Sequence, residues 1–275
     1  MRKALWLLTA LCLLLTGCAA GEEAEELTVV FFNVGKADAI LLYTDEAAAL
    51  IDAGENGDGK ELAEAIRERG VERLDLMVIT HFDKDHVGGA DKILERVEVE
   101  RVLEPDYAKD SKQYRQYREA LEEAGVEAEA LAGNVEFSLG GCDFAIDVAN
   151  EDDYGEGEEN DFSLVVRLAY GDVRFLFAGD AEDARLAELL DEGGLRSDVL
   201  KAPHHGRYGE MSAAFFQAVS PEYAVITSAE DDLEDPETVR ALEMTGARVL
   251  LTREGTVELI SDGQRVWLAE QSAAR

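Results

Sequence analysis

Apolar positions along this chain fall into short runs separated by glycine-bearing turns. Such runs predict strands at residues 27–33, 39–43 and 49–52, the last closed by Ala53-Gly54. Helical spacing first appears at 60–69, where Leu62 and Ile66 share a face and Gly70 stops the helix. Residues 74–80 (L-D-L-M-V-I-T) predict a buried strand, 90–97 a helix, 101–103 a short strand and 111–124 a charged helix ended by Gly125. Residues 135–139 and 142–148 form a hairpin about Gly140-Gly141, and 163–170 with 173–178 another about Gly171-Asp172. A helix is expected at 181–190. Strands at 198–201, 223–227 and 248–251 then alternate with helices at 212–219 and 236–245, before a last hairpin of 256–260 and 265–269. Both halves run strands first, then strands mixed with helices. That order predicts an α/β protein with two β layers covered by helices, a four-layer αββα sandwich.

The chain opens differently. Arg2 and Lys3 precede an apolar run over 4–15, too short for an ordinary membrane span and shaped like a signal-peptide core. Leu15-Thr16-Gly17-Cys18 matches a bacterial lipobox. Residues 1–17 are therefore expected to be a lipoprotein signal peptide and Cys18 the lipidated first residue, holding the protein on the outer side of a membrane in the cell envelope. Residues 18–26 form an acidic tether, and 27–275 one domain. Of the three cysteines, Cys12 leaves with the signal and Cys18 carries lipid. Cys142 stays alone, expected as a small buried apolar residue rather than a nucleophile.

Charge limits the partners. The formal net charge is −34, and no basic patch interleaves with aromatics, which disfavours nucleic acid. No obligate protein partner is evident. The acidic loop at 150–161 fits a solvated insertion better than a lid over a cleft.

Chemistry concentrates at Thr80 to Gly89, T-H-F-D-K-D-H-V-G-G, where His81, Asp83, Asp85 and His86 follow a strand. The chain has four histidines; the other two, His204 and His205, lie in L-K-A-P-H-H-G-R after another short strand. Imidazoles and carboxylates gathered on loops at strand ends are the expected form of a metal site.

These residues, with Asp180 after an apolar strand, resemble the metallo-β-lactamase-fold hydrolases. The pattern is most similar to the extracellular hydrolase domain of ComEC-type competence proteins. F-F-N-V-G-K-A-D-A-I-L from Phe31, L-I-D-A-G from Leu50, the His81 loop, the stretch from Asn160 to Asp180 and L-K-A-P-H-H-G from Leu200 follow in that branch's order. Departures occur where a cleft would be bordered. Asn33, Lys36 and Ala37 replace Asp, Gln and Gly of the usual opening turn. Arg207 replaces a frequent Ser after His-His-Gly. Leu233-Glu234-Asp235-Pro236 stands where Tyr-Gly-His-Pro is common.

The resemblance implies two adjacent divalent ions, zinc by histidine content with manganese as the alternative. His81 and Asp83 would hold one; Asp85, His86 and a downstream histidine the other; Asp180 would bridge them. His205 is assigned as that histidine and His204 as proton donor or oxyanion stabiliser, with the reverse assignment open. Asp85 would also orient the nucleophile. Asn160 would complete the first position or touch substrate, or serve only as a turn residue. Asp38 and Asp52 are expected to brace the loops. Asp83 in place of a third histidine makes the first position harder and more anionic, which favours phosphodiesters over β-lactams. Envelope phosphodiesters follow from similarity to phosphorylcholine esterases of this fold. The alternatives are an extracellular DNA nuclease and a non-catalytic metal-binding lipoprotein.

Overall fold

A computed structural model describes residues 25–150, 154 and 159–270. The signal segment, Cys18, most of the tether and most of the acidic loop lie outside those residues. In the first half, β1 (Leu27–Phe31), β2 (Ile40–Tyr43) and β3 (Ala48–Ile51) are followed by α1 (Gly59–Glu68). Next come β4 (Arg73–Leu74), β5 (Leu76–Val78), α2 (Lys84–Val87) and α3 (Ala90–Arg96). β6 (Glu98–Val99), β7 (Val102–Pro105), α4 (Lys112–Ala124) and β8 (Ala128–Leu131) complete it. The second half holds β9 (Val135–Leu139), β10 (Cys142–Asp147), β11 (Val165–Tyr170), β12 (Val173–Phe177) and α5 (Asp183–Glu192). It continues through β13 (Val199–Lys201), α6 (Ser212–Val219), β14 (Tyr223–Ile226), α7 (Pro236–Met244) and β15 (Arg248–Leu251), then β16 (Val257–Ser261) and β17 (Val266–Leu268).

Among the described residues these strands make an eight-stranded sheet ordered β17-β16-β1-β2-β3-β5-β7-β8 and a seven-stranded sheet ordered β15-β14-β13-β12-β11-β10-β9. The alternation along β1 shows why the sheets stack. Val29 and Phe31 join a core shared with Phe144, Val166, Phe175 and Phe177 of the other sheet. Val30 and Phe32 point the opposite way, into a layer with Leu62 and Ile66 of α1, Ile93 of α3 and Leu121 of α4. On the far side of the second sheet, Leu186 and Leu189 of α5, Phe215 and Phe216 of α6, and Leu242 of α7 form a third layer. A strand buried on both faces is apolar at consecutive positions, which is why these strands are runs rather than alternations. The result is the expected αββα sandwich.

Differences lie in the short helix α2, which carries Asp85 and His86 where a loop was expected, in the 3-10 turn of Pro203–Gly206, and in weak strands. β8 pairs in parallel with β7 at a sheet edge, and β4 pairs with β6 in a two-residue ladder. Neither carries a continuous apolar run, so neither announces itself in sequence. The cysteine expectation fits: Cys142 is buried on β10, and burial pushes its thiol up to about 12. None of the described helices is long and apolar enough to cross a membrane.

The parallel strands position the chemistry. β3, β5 and β7 run parallel in one sheet, and β12, β13 and β14 in the other. Their C-terminal ends open at the same edge of the sandwich. Asp52 and Thr80 extend β3 and β5, while Asp180, His205 and Thr227 extend β12, β13 and β14.

Candidate metal centre

Backbone hydrogen bonds lock the His81 loop against the opening turns. Asp38 N–H donates to Asp85 O (3.0 Å), Ala53 N–H to His86 O (2.8 Å) and Gly89 N–H to Gly54 O (3.1 Å). The approach is close enough that a Cβ on Gly89 would sit 2.1 Å from the Ala53 carbonyl oxygen, so only glycine fits. In the second sheet, His204 and His205 both have positive φ, 44° and 51°, ahead of Gly206 at 81°. Left-handed backbone at two adjacent non-glycine residues costs about 1–2 kcal/mol each. It turns the two rings apart: His205 is buried, whereas His204 is a quarter exposed.

Each buried ring is held from behind. His86 Nδ1–H donates to Asp52 Oδ2 at 2.8 Å. The Asp52 carboxylate also accepts from Thr80 N–H (2.8 Å) and Thr80 Oγ1–H (2.7 Å). His205 Nδ1–H faces the Thr227 carbonyl at 3.1 Å. With Nδ1 committed to these partners, Nε2 is the atom each ring turns into the site, for a proton or a metal ion to take, and the two Nε2 atoms face one another at 3.3 Å. His86 Nε2 also lies 3.2 Å from Asp180 Oδ1. His205 Nε2 lies 3.2 Å from Asp180 Oδ2 and 3.4 Å from Asp85 Oδ2. His81 Nε2 is buried with no hydrogen-bond partner. His81, His86 and Asp180 form one group of donors lying within 4.8 Å of one another, and Asp85, His86 and His205 form another. Converging lone pairs and carboxylates repel unless cations join them, so these donors fit divalent metal ions.

The protonation preferences agree. Burial and the neighbouring His86 hold His81 down at about 4. Burial opposes charge on His86 and His205 too, but Asp180 and the other carboxylates outweigh it and raise both. Asp180 is driven well below the carboxylate range by His205, His86 and Lys201 despite burial. Asp85 is likewise lowered against its burial by the His205 hydrogen bond. The field of the site calls for positive charge.

The site residues expected from sequence do not all converge. His81, Asp85, His86, Asp180 and His205 do. Asp83 lies apart: its carboxylate is ion-paired with Lys109, which also pairs with Glu159. His204 stands beside the cluster, Nδ1 3.0 Å from Glu182 Oε1 and Nε2 4.0 Å from Asp180 Oδ2. That hydrogen bond lowers the Glu182 pKa. Asn160 Nδ2 donates to the same Glu182 oxygen at 2.8 Å.

Several neighbours had no assigned role in sequence. Lys201 is fully buried. Its Nζ lies 2.5 Å from Asp38 Oδ2, donates to Gly179 O at 2.9 Å and lies 3.5 Å from Asp180 Oδ1. Thr227 Oγ1 donates to Asp38 Oδ1 at 2.6 Å. Their available signal was a polar residue ending an apolar strand beside the cluster. The three departures from the family pattern meet in space. Lys36 pairs with Asp232 at 3.5 Å, and Arg207 pairs with Asp232 at 2.5 Å and Asp235 at 3.5 Å. They form a single ion network at the rim.

Residues 33–228 match the family model of the metallo-beta-lactamase superfamily. The chain belongs to that superfamily. Metallo-beta-lactamase superfamily proteins are generally metal-dependent hydrolases, and the fold typically binds divalent metals. The chain is 27% identical over 205 residues to ComE operon protein 3 of Bacillus subtilis, an alignment covering 72% of this chain and 26% of that one. It is 28% identical over 211 residues to competence protein ComA of Neisseria gonorrhoeae, covering 74% and 27%. The chain thus spans about a quarter of the length of these relatives. Among solved structures, the metallo-beta-lactamase fold protein YhfI of Bacillus subtilis superposes with a TM-score of 0.56 at 10% identity, over 90% of this chain and all of that one. CmlA, a diiron beta-hydroxylase of Streptomyces venezuelae, gives 0.52 at 14% identity, covering 89% and 54%. Likeness at these identities establishes the superfamily fold alone.

Proposed function

We propose that this chain is a dinuclear metal-dependent phosphodiesterase, anchored by a lipid on Cys18 to the outer side of a bacterial membrane. The observation that carries the reading is the set of imidazole nitrogens of His81, His86 and His205 turned onto the carboxylates of Asp180 and Asp85. In this reading His81, joined by Asp83 once it leaves Lys109, would hold one ion, Asp85, His86 and His205 would hold the other, and Asp180 would serve both. When bound, zinc or manganese ions would supply an activated water and a clamp for anionic phosphoryl oxygens.

The remaining chemistry belongs to the chain. Asp52 and Thr227 fix the tautomers of His86 and His205. Asp85, with its side chain only 18% exposed, orients the attacking water. His204 donates a proton to the leaving oxygen: its Nδ1 rests on Glu182, which orients the ring, and its Nε2 faces Asp180. A hollow of about 550 Å³ beside His204, lined by Tyr154, Glu182, Arg207 and Tyr208, is suited to the body of the substrate. The net charge of −34 favours a small or envelope-borne diester over a polyanionic strand. Similarity to competence proteins keeps DNA as the second substrate to test.

The test is hydrolysis of bis(p-nitrophenyl) phosphate with added zinc or manganese, comparing the wild type with Asp180→Asn. Turnover abolished by the substitution supports the reading. Equal turnover in both refutes the centre built on Asp180; metal binding without hydrolysis of any ester refutes the enzyme and leaves a metal-binding module. Labelling by a fatty acid that persists in Cys18→Ala would refute the anchor.

A further inference from the structure

Lys109 is built into the metal centre. β7 ends at Pro105, and the loop after it is pinned by Tyr107, whose hydroxyl accepts from Phe82 N–H at 3.0 Å. The Tyr107 ring packs edge-on against Phe82, centroids 4.9 Å apart, and against Phe162 at 5.5 Å. Phe82 directly precedes Asp83. Phe162 closes the short helix Glu159–Phe162, which carries Asn160. Lys109 therefore emerges between the two loops that flank His81, and its ammonium pairs with Asp83 on one side and Glu159 on the other. The lysine side chain is 21% exposed and that of Asp83 36%. This is a half-buried ion triad supported by aromatic packing rather than a stray surface pair.

We propose that Lys109 makes the two metal positions unequal, by holding Asp83 out of the donor set and setting a fixed positive charge against the ion beside His81. The inference rests on the metal-centre reading above and deepens it. Asp85, His86, His205 and Asp180 already converge on one another. The His81 position has Asp180 in place but gains Asp83 only when that carboxylate leaves Lys109. The position around His205 therefore loads first and tightly. The His81 position loads second and weakly, and ambient metal concentration sets its occupancy.

The test is isothermal titration of the metal-stripped full chain with Zn²⁺, repeated with Mn²⁺, for the wild type, Lys109→Met and Lys109→Arg. The expected wild-type isotherm is biphasic. In Lys109→Met the weak phase tightens by about tenfold or more, the scale on which groups behind metal ligands act, while the tight phase is unchanged. Lys109→Arg keeps the charge and should retain the wild-type gap. Titration with Co²⁺ supplies a second readout, because the d–d absorption bands of the two positions then grow in sequence in the wild type and together in Lys109→Met. Two equal phases in the wild type, or an unchanged gap in folded Lys109→Met, would overturn this inference and leave the metal-centre reading standing. No binding by any variant would overturn both.

Discussion

Replacing Lys201 with Met isolates the cation beneath the site. Methionine keeps the length and most of the volume of the stem, so packing changes little. The substitution removes the ammonium 2.5 Å from Asp38 and 3.5 Å from Asp180. Asp38 is fully buried and normally held ionised: burial raises its pKa, but Lys201 and the two histidines bring it below the ordinary value. Without Lys201 its close side-chain donor is the Thr227 hydroxyl at 2.6 Å, with His205 Nδ1 at 3.5 Å and His86 Nδ1 at 3.9 Å farther off. Removing one member of a buried ion pair costs about 3–5 kcal/mol, because the other charge stays buried without its partner. In a domain of this size that lowers the melting temperature by about 6–20 °C. The assay is thermal unfolding by circular dichroism, with and without bound metal. Asp38→Asn in the Lys201→Met background should recover part of the loss, since it removes the stranded charge. A Lys201→Met protein that melts within about 2 °C of the wild type would refute the claim that this pair is energetically coupled.

Other outcomes follow from the same geometry. Asp52→Asn should weaken metal binding by about 10–100-fold, measured by competition with a chromogenic chelator, because the His86 tautomer is no longer fixed. Metal uptake should release protons: the surrounding carboxylates raise the proton affinity of His86 and His205 despite their burial, so a metal ion competes with protons at those rings, whereas His81 is held down at about 4. Affinity should therefore fall as pH falls, and titration heats should differ between buffers of unlike ionisation enthalpy; identical heats would contradict this. Gly89→Ala should cost about 3 kcal/mol or more in chemical denaturation, because its Cβ meets the Ala53 carbonyl at 2.1 Å.

The legible parts of the molecule share a cause. Strands buried on both faces and helices with an apolar stripe print their periods directly, so the sandwich follows from the run pattern. The His81 loop and the histidine pair were legible because metal-competent side chains cluster within a few residues at strand ends. Lys201 was not, since a lysine ending an apolar strand is ordinarily the point where the chain meets solvent; here two carboxylates from distant segments bury it. Lys109 was hidden because its partners, Asp83 and Glu159, lie 26 and 50 residues away. Asp83 belongs to the loop motif by position, yet its side chain is directed by that distant lysine. Local sequence places a backbone, and the partner that turns a side chain can come from anywhere.

The position of β1 bears on how the chain reaches this state. β1 lies between β2 and β16, with Leu27 opposite Ser261, and Asn33 N–H donates to Thr256 Oγ1 across 223 residues. The first sheet cannot close until that late segment is available, however early its other strands collapse. Until then β1 is an unpaired edge carrying Val29, Val30 and Phe31, the kind of strand that recruits foreign partners. Pairing over such a separation is also slow. The chain thus carries an interval of vulnerability in its assembly, and relief comes from the hairpin of β16 and β17 rather than from any part of the metal loop.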